Sequence, residues 1–134
     1  MKRFSPPSGL LHGEAGEERA AANRSGATAH RVVMLAYPDA QILDITGPLE
    51  VFSRTARWLR DEGRTQKLAY SVEIVAARAG PVRMSSGLEL VARRSYRQAR
   101  KIDTLMVSGG IGHANACEDA ALIRWLQRQQ PRVR

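Results

Sequence analysis

The sequence predicts an α/β fold of the flavodoxin type, a mostly parallel sheet with helices on both faces. Two observations carry this. The run from Val32 to Tyr37 is apolar without alternation, as expected of a strand buried on both faces. A segment with helical spacing separates it from a second strand-like run at 70–77, the order of a right-handed βαβ unit. A chain of 134 residues fits one domain.

Residues 1–29 are rich in Gly, Ala, Ser, Pro and Glu without periodicity and read as a disordered extension, so the folded domain spans 30–134. The first strand is expected over 31–37. Asp44-Ile45-Thr46-Gly47 then reads as an acid-bearing turn, with Thr46 as an N-terminal cap. Pro48 suits the first position of a helix running to about Glu62, because it has no N–H to lose there. Leu49, Phe52, Ala56 and Leu59 share one face of that helix, Glu50 occupies its first turn, and Gly63 supplies the stop.

After the second strand, 82–84 and 88–91 read as a short excursion of paired strands around Ser85-Ser86-Gly87. Residues 95–101 form a basic helical turn. Residues 102–107 return as a buried strand running into Ser108-Gly109-Gly110-Ile111-Gly112-His113. A last helix is expected from about Glu118, with Leu122, Ile123 and Leu126 inward and Pro131 at its end. Another strand is expected to begin near Val133, so the sheet is expected to be incomplete at the C-terminus.

Composition narrows the function classes. Apolar residues make up 43% and aromatics only 5%, so the core rests on aliphatic side chains. Pro6, Pro7, Gly9 and His12 stand where a signal peptide would need an apolar stretch, and no run is long enough to cross a membrane, which makes the cytoplasm the expected compartment. The net charge of +8 invites a nucleic-acid reading. The arginines at 54, 57, 60 and 64, at 93, 94, 97 and 100, and at 124, 128, 132 and 134 fall in three separate sets and read as the solvated faces of helices.

Chemistry is expected beyond the strand ends, where open α/β sheets bind ligands. Asp44 is a candidate acid there: a general acid, a proton partner for a nucleophile, an anchor for a ligand amide, or simply a turn former. Gly109 and Gly110 expose backbone N–H groups without side-chain cover, as an oxyanion turn requires, or mark a plain strand-to-loop turn. The glycine spacing does not fit a dinucleotide fingerprint. His113 and Cys117 are too few for a metal site, and nothing positions a base for the thiol. Neither metal nor cofactor is expected.

The segments Val33-Met34-Leu35-Ala36-Tyr37-Pro38 and Leu43-Asp44-Ile45-Thr46-Gly47-Pro48-Leu49-Glu50-Val51-Phe52 resemble the start of the ThiJ/PfpI family, within the class I glutamine amidotransferase-like superfamily. Tyr70 to Val75, Pro81 to Leu88 and Asp103 to Gly110 match later segments in order. The wording is most similar to the amidase-like N-terminal domain of GlxA-type AraC-family transcriptional regulators, and the isonitrile hydratase branch shares the Asp44 to Phe52 pattern. The resemblance implies a ligand crevice at Asp44, Thr46, Gly47, Gly110, Ile111 and His113, with oxyanion-turn positions at Gly109 and Gly110. In catalytic relatives the acid at the position of Asp44 faces a cysteine on a later strand-to-helix elbow, and Cys117 does not match that position. Ser108 stands where the family usually has Pro. The resemblance therefore implies a non-catalytic sensor domain with a small-molecule effector, a homodimer as its assembly, no membrane partner and no specific DNA binding by this part. The alternative is the first part of a hydrolase or hydratase.

Overall fold

The computed structural model describes residues 28–134, so nearly all of the expected extension lies outside the described residues. Six strands follow in chain order: β1 (His30–Leu35), β2 (Tyr70–Ala76), β3 (Gly80–Arg83), β4 (Glu89–Ala92), β5 (Arg94–Ser95) and β6 (Thr104–Val107). Four of them form a sheet in the order β5-β2-β1-β6, with every neighbouring pair parallel. The other two, β3 and β4, form the expected antiparallel excursion.

Strand β1 is central. Val32, Met34 and Ala36 face one side of the sheet, Val33 and Leu35 the other, and all five are at most 1% exposed. The unbroken apolar run is thus the signature of two-sided burial. On the first side pack Ile45 and Leu49 of helix α1 (Ile42–Asp61), together with Val82, Met84 and Ala92 of the excursion. On the second side pack Tyr96, Ile102, Leu122 and Trp125. Helices therefore cover both faces, as the sequence predicts.

Helix α1 corrects one expectation. It begins at Ile42, six residues before Pro48, so the acid-bearing segment is its first turns and not a loop. Pro48 lies inside the helix, where its missing N–H leaves the Asp44 carbonyl without the usual bond. Tertiary burial outweighs that loss, because Ile42, Ile45, Leu49, Phe52 and Ala56 continue one apolar stripe through the Gly-Pro step, with Ile45 fully buried. Thr46 is not a cap: its hydroxyl donates to the Ile42 carbonyl one turn back. Glu50 bonds Arg57 on the solvent side.

The last helix is two. Helix α2 (His113–Glu118) stops at Asp119, whose carboxylate then accepts from the Ala121 and Leu122 N–H groups and caps α3 (Ala120–Gln129). Glu118 consequently ends one helix instead of opening another. Trp125, not Ile123, joins Leu122 in the buried face. Pro131 lies in a 3-10 turn, Gln130–Arg132, just past the helix end.

Beyond that turn, the Arg134 N–H donates to the Asp103 carbonyl while the Arg134 carbonyl accepts from the Leu105 N–H. These two bonds have the parallel pattern and tie residue 134 to β6, although 133–134 form no strand of their own.

One charged ladder ties three strands together. Glu73 on β2 is nearly buried between Arg31 of β1 and Arg94 of β5, each at 2.6 Å. Replacing Glu73 by Gln leaves two close guanidinium groups without their shared anion, and a loss of about 1–3 kcal/mol is expected. Urea unfolding of Glu73→Gln measures it; an unchanged midpoint would show that the ladder contributes nothing.

Candidate functional site

The strand order reverses at β1, since the chain moves from β1 to β2 on one side and later returns to β6 on the other. Such a reversal opens a crevice beyond the carboxyl ends of the strands. Three loops meet there through backbone bonds. The Gln41 N–H donates to the Gly109 carbonyl at 2.9 Å, the Gly112 N–H to the Asp39 carbonyl at 3.1 Å, and the Ser85 N–H of the excursion to the Ala40 carbonyl at 3.0 Å.

Close approach of these backbones explains the glycines. Gly110 has φ +127, and a Cβ there would stand 2.8 Å from the Ala40 carbonyl carbon. Gly109 faces the acid: a Cβ would meet Asp44 Oδ2 at 2.5 Å, and the Gly109 N–H donates to that same oxygen at 3.2 Å. Asp44 sits in the first turn of α1, where a carboxylate also suits the helix dipole. The bond to Gly109 ties the glycine turn to the helix start, a role that the sequence-level alternatives for Asp44 did not include. The Gly110 N–H has no acceptor among the described residues.

Tyr37 and Ser108 complete the turn, and neither was singled out as a site residue by its sequence position. The Tyr37 hydroxyl donates to the Ser108 carbonyl at 2.7 Å, and both the hydroxyl and the N–H of Ser108 donate to the Leu35 carbonyl. A proline at 108 could make neither bond, so serine here holds the strand end by its own donors. Burial pushes the Tyr37 phenol above its ordinary value of 10.0, and the nearby Cys117 thiol and Asp44 carboxylate push the same way, partly offset by the Ser108 contact.

The other expected site residues separate. Ile111 is exposed, Gly47 lies on α1 with open space around it, and Thr46 is occupied by the helix backbone. His113 returns to the turn, its Nδ1 at 3.1 Å from the Gly110 carbonyl. His113 and Cys117 line one small, mostly apolar cavity of about 170 Å³ with Tyr37 and Ser108, without a hydrogen bond between them. No group of three metal-ligating side chains occurs among the described residues.

A larger cavity of about 340 Å³ opens beside the turn on the α3 side. Leu35, Tyr37, Ala116 and Leu122 supply apolar wall, Asn115 and Asp119 bring polar side chains to it, and Tyr96 lines it as well. Tyr96 is buried and its hydroxyl has no partner among the described residues. Its place in the 3-10 turn (Tyr96–Gln98), distant in sequence from the glycine turn, hid it from sequence reading.

The parallel sheet reversing at β1, with helices on both faces, is a fold shared with solved ThiJ/PfpI, AraC-family regulator and DJ-1 superfamily proteins. Structures with this fold include a ThiJ/PfpI family protein from Pseudomonas syringae, at a TM-score of 0.65 and 20% identity over 92% of this chain and 46% of that one. An AraC family transcriptional regulator from Pseudomonas putida matches at a TM-score of 0.59 and 22% identity, over 76% of this chain and 51% of the other. A DJ-1 superfamily protein from Agrobacterium tumefaciens matches at 0.51 and 17% identity, over 77% and 50%. In sequence, a protein of Streptomyces lividans described as an uncharacterized protein in the cpoL 5' region is 41% identical over 81 residues, 60% of this chain and 52% of that protein. No protein-family model matches the chain. The chain spans about half the length of these relatives. No described helix is long and apolar enough to cross a membrane.

Gly110→Ala is expected to destabilise the domain by more than about 2 kcal/mol, through positive φ and collision with the 40–41 backbone; a near-native melting temperature would contradict the close docking. The raised Tyr37 phenol also sets a pH signature. Below about pH 10 both folded and unfolded states hold its proton. Above that the unfolded state releases it first, so the Tyr37 contribution is lost as pH rises through the folded value. Stability curves between pH 8 and 11 should therefore fall less steeply for Tyr37→Phe than for the parent chain, and parallel curves would refute the assignment.

Proposed function

We propose that this chain supplies the N-terminal part of a ThiJ/PfpI-type sensor domain of an AraC-family regulator, binding a small-molecule effector without catalysis or sequence-selective DNA binding of its own. The observation that carries the reading is the engagement of Asp44. Its Oδ2 accepts from the Gly109 N–H and so ties the helix start to the glycine turn, a positioning role that needs no nucleophile beside it. Cys117 is exposed and carries no activating hydrogen bond among the described residues.

The effector cavity is the one beside the glycine turn. Its apolar wall with a few converging polar groups has the character of a small-ligand site, and its size suits a compact molecule. An unpaired buried hydroxyl is costly unless a ligand completes it, which gives Tyr96 a role in recognition. Likeness of fold to an AraC family regulator supports the sensor reading. The chain's span of about half its relatives accords with its being part of a larger domain. A homodimer and a cytoplasmic setting belong to the same proposal.

A second reading, part of a hydrolase or hydratase, is favoured by the Gly110 N–H, which has no acceptor among the described residues and has the character of an oxyanion donor. Assays separate the two. The purified chain should turn over neither isonitriles nor amides, and turnover abolished by Cys117→Ala would replace the sensor reading with the enzymatic one. A thermal-shift screen of small amides, amines and carboxylates should yield a stabilising compound whose effect shrinks in Tyr96→Phe. Ligand-free Tyr96→Phe should itself melt slightly higher, because it removes the unpaired hydroxyl. Hits indifferent to Tyr96→Phe would place the effector elsewhere.

A further inference from the structure

At the opposite end of the sheet from the crevice, a second concavity of about 500 Å³ is lined by four arginines and a lysine: Arg97, Arg100, Lys101, Arg128 and Arg132. No carboxylate lines it, and none of the five is ion-paired among the described residues. They come from two separate segments, the stretch before β6 and the end of α3. From this convergence we infer a binding site for a compact multivalent anion, a chain of linked phosphates, distinct from the effector crevice and independent of how that crevice is read.

Ordinary structural roles cover only part of the cluster. Arg128 in the last turn of α3 suits the helix dipole. Arg97 lies over the Tyr96 ring at 4.9 Å, and Arg100 donates to the Arg97 and Ala99 carbonyls. These contacts orient the guanidinium groups but do not neutralise them. Lys101 has no such role, and it holds φ +53, a backbone conformation that costs a side-chain-bearing residue energy. Five like charges around one concavity repel one another, and a multivalent anion relieves that repulsion.

Size and lining favour a short phosphate chain over an extended nucleic acid. The site is a concavity and not a stripe, and Trp125 at its floor is buried in the core, so no exposed ring offers a base a stacking platform. Arginine forks match phosphate oxygens in pairs, and a chain of linked phosphates offers several such pairs to the cluster at once, where a single carboxylate offers one.

The test titrates the whole chain with inorganic tripolyphosphate by calorimetry at two salt concentrations. Saturable binding that weakens steeply with salt is expected. Arg97→Gln with Arg128→Gln should lower the affinity about tenfold, while Arg54→Gln with Arg78→Gln, an equal charge loss elsewhere, should leave it unchanged. Lys101→Gly should weaken binding while raising the melting temperature, an opposition that a purely structural lysine would not produce. Adenosine triphosphate binding equally well assigns the site to the phosphate chain alone; tighter binding assigns it to a nucleotide. Equal losses in both double variants, no saturable binding, or duplex DNA that binds and is not displaced by tripolyphosphate would each overturn the inference.

Discussion

Everything else in this domain is arranged around a strand that has no exposed side. The β1 residues are sheathed by α1 on one face and by α3 and the 3-10 turn on the other, and are paired to β2 and β6 along both edges. Water is excluded from all four directions, so only apolar side chains can stand there without an unsatisfied group. The carboxyl end of such a strand is necessarily the mouth of a crevice. Its loop, 37–41, becomes the surface against which the glycine turn and the excursion dock.

The two ends of the sheet are chemically unlike. At the carboxyl end, backbone bonds between loops, an aspartate and a tyrosine hydroxyl build a tight clamp beside a mostly apolar cavity. Groups there are half-withdrawn from water, which strengthens each hydrogen bond and raises the cost of leaving one unmade. At the other end, uncompensated cations line an open concavity. Charges there are screened by solvent, so their effect on binding is expected to be salt-dependent where the clamp's is not.

Much of this was legible in advance because it is local or periodic. The apolar run of β1, the strand at 70, the excursion and the glycine turn are all visible as patterns of neighbours in the chain, and Asp44 and Gly109 were both named from them. The start of α1 was misplaced because Pro48 is a strong local signal for a first helical position. The stripe Ile42, Ile45, Leu49 and Phe52 carried the contrary information, and burial against β1 decided in its favour. The break at Asp119 follows the same lesson in reverse, since one aspartate cap outweighed the continuity expected of a single helix.

Local patterning thus determined the layers, the strand sequence and the residues at the crevice mouth, since side-chain periodicity and turn chemistry act over a few positions. Juxtaposition across the fold was a different matter. That Ser108 would be gripped by Tyr37, that Tyr96 would leave a hydroxyl unpaired beside the crevice, and that arginines near 97 and near 130 would share one concavity depend on which elements pack together. Three sets of arginines that looked like separate solvated faces proved, for two of them, to be parts of one surface. Such pairings are set by the burial of β1 and the path of the chain around it, which no short window of sequence contains.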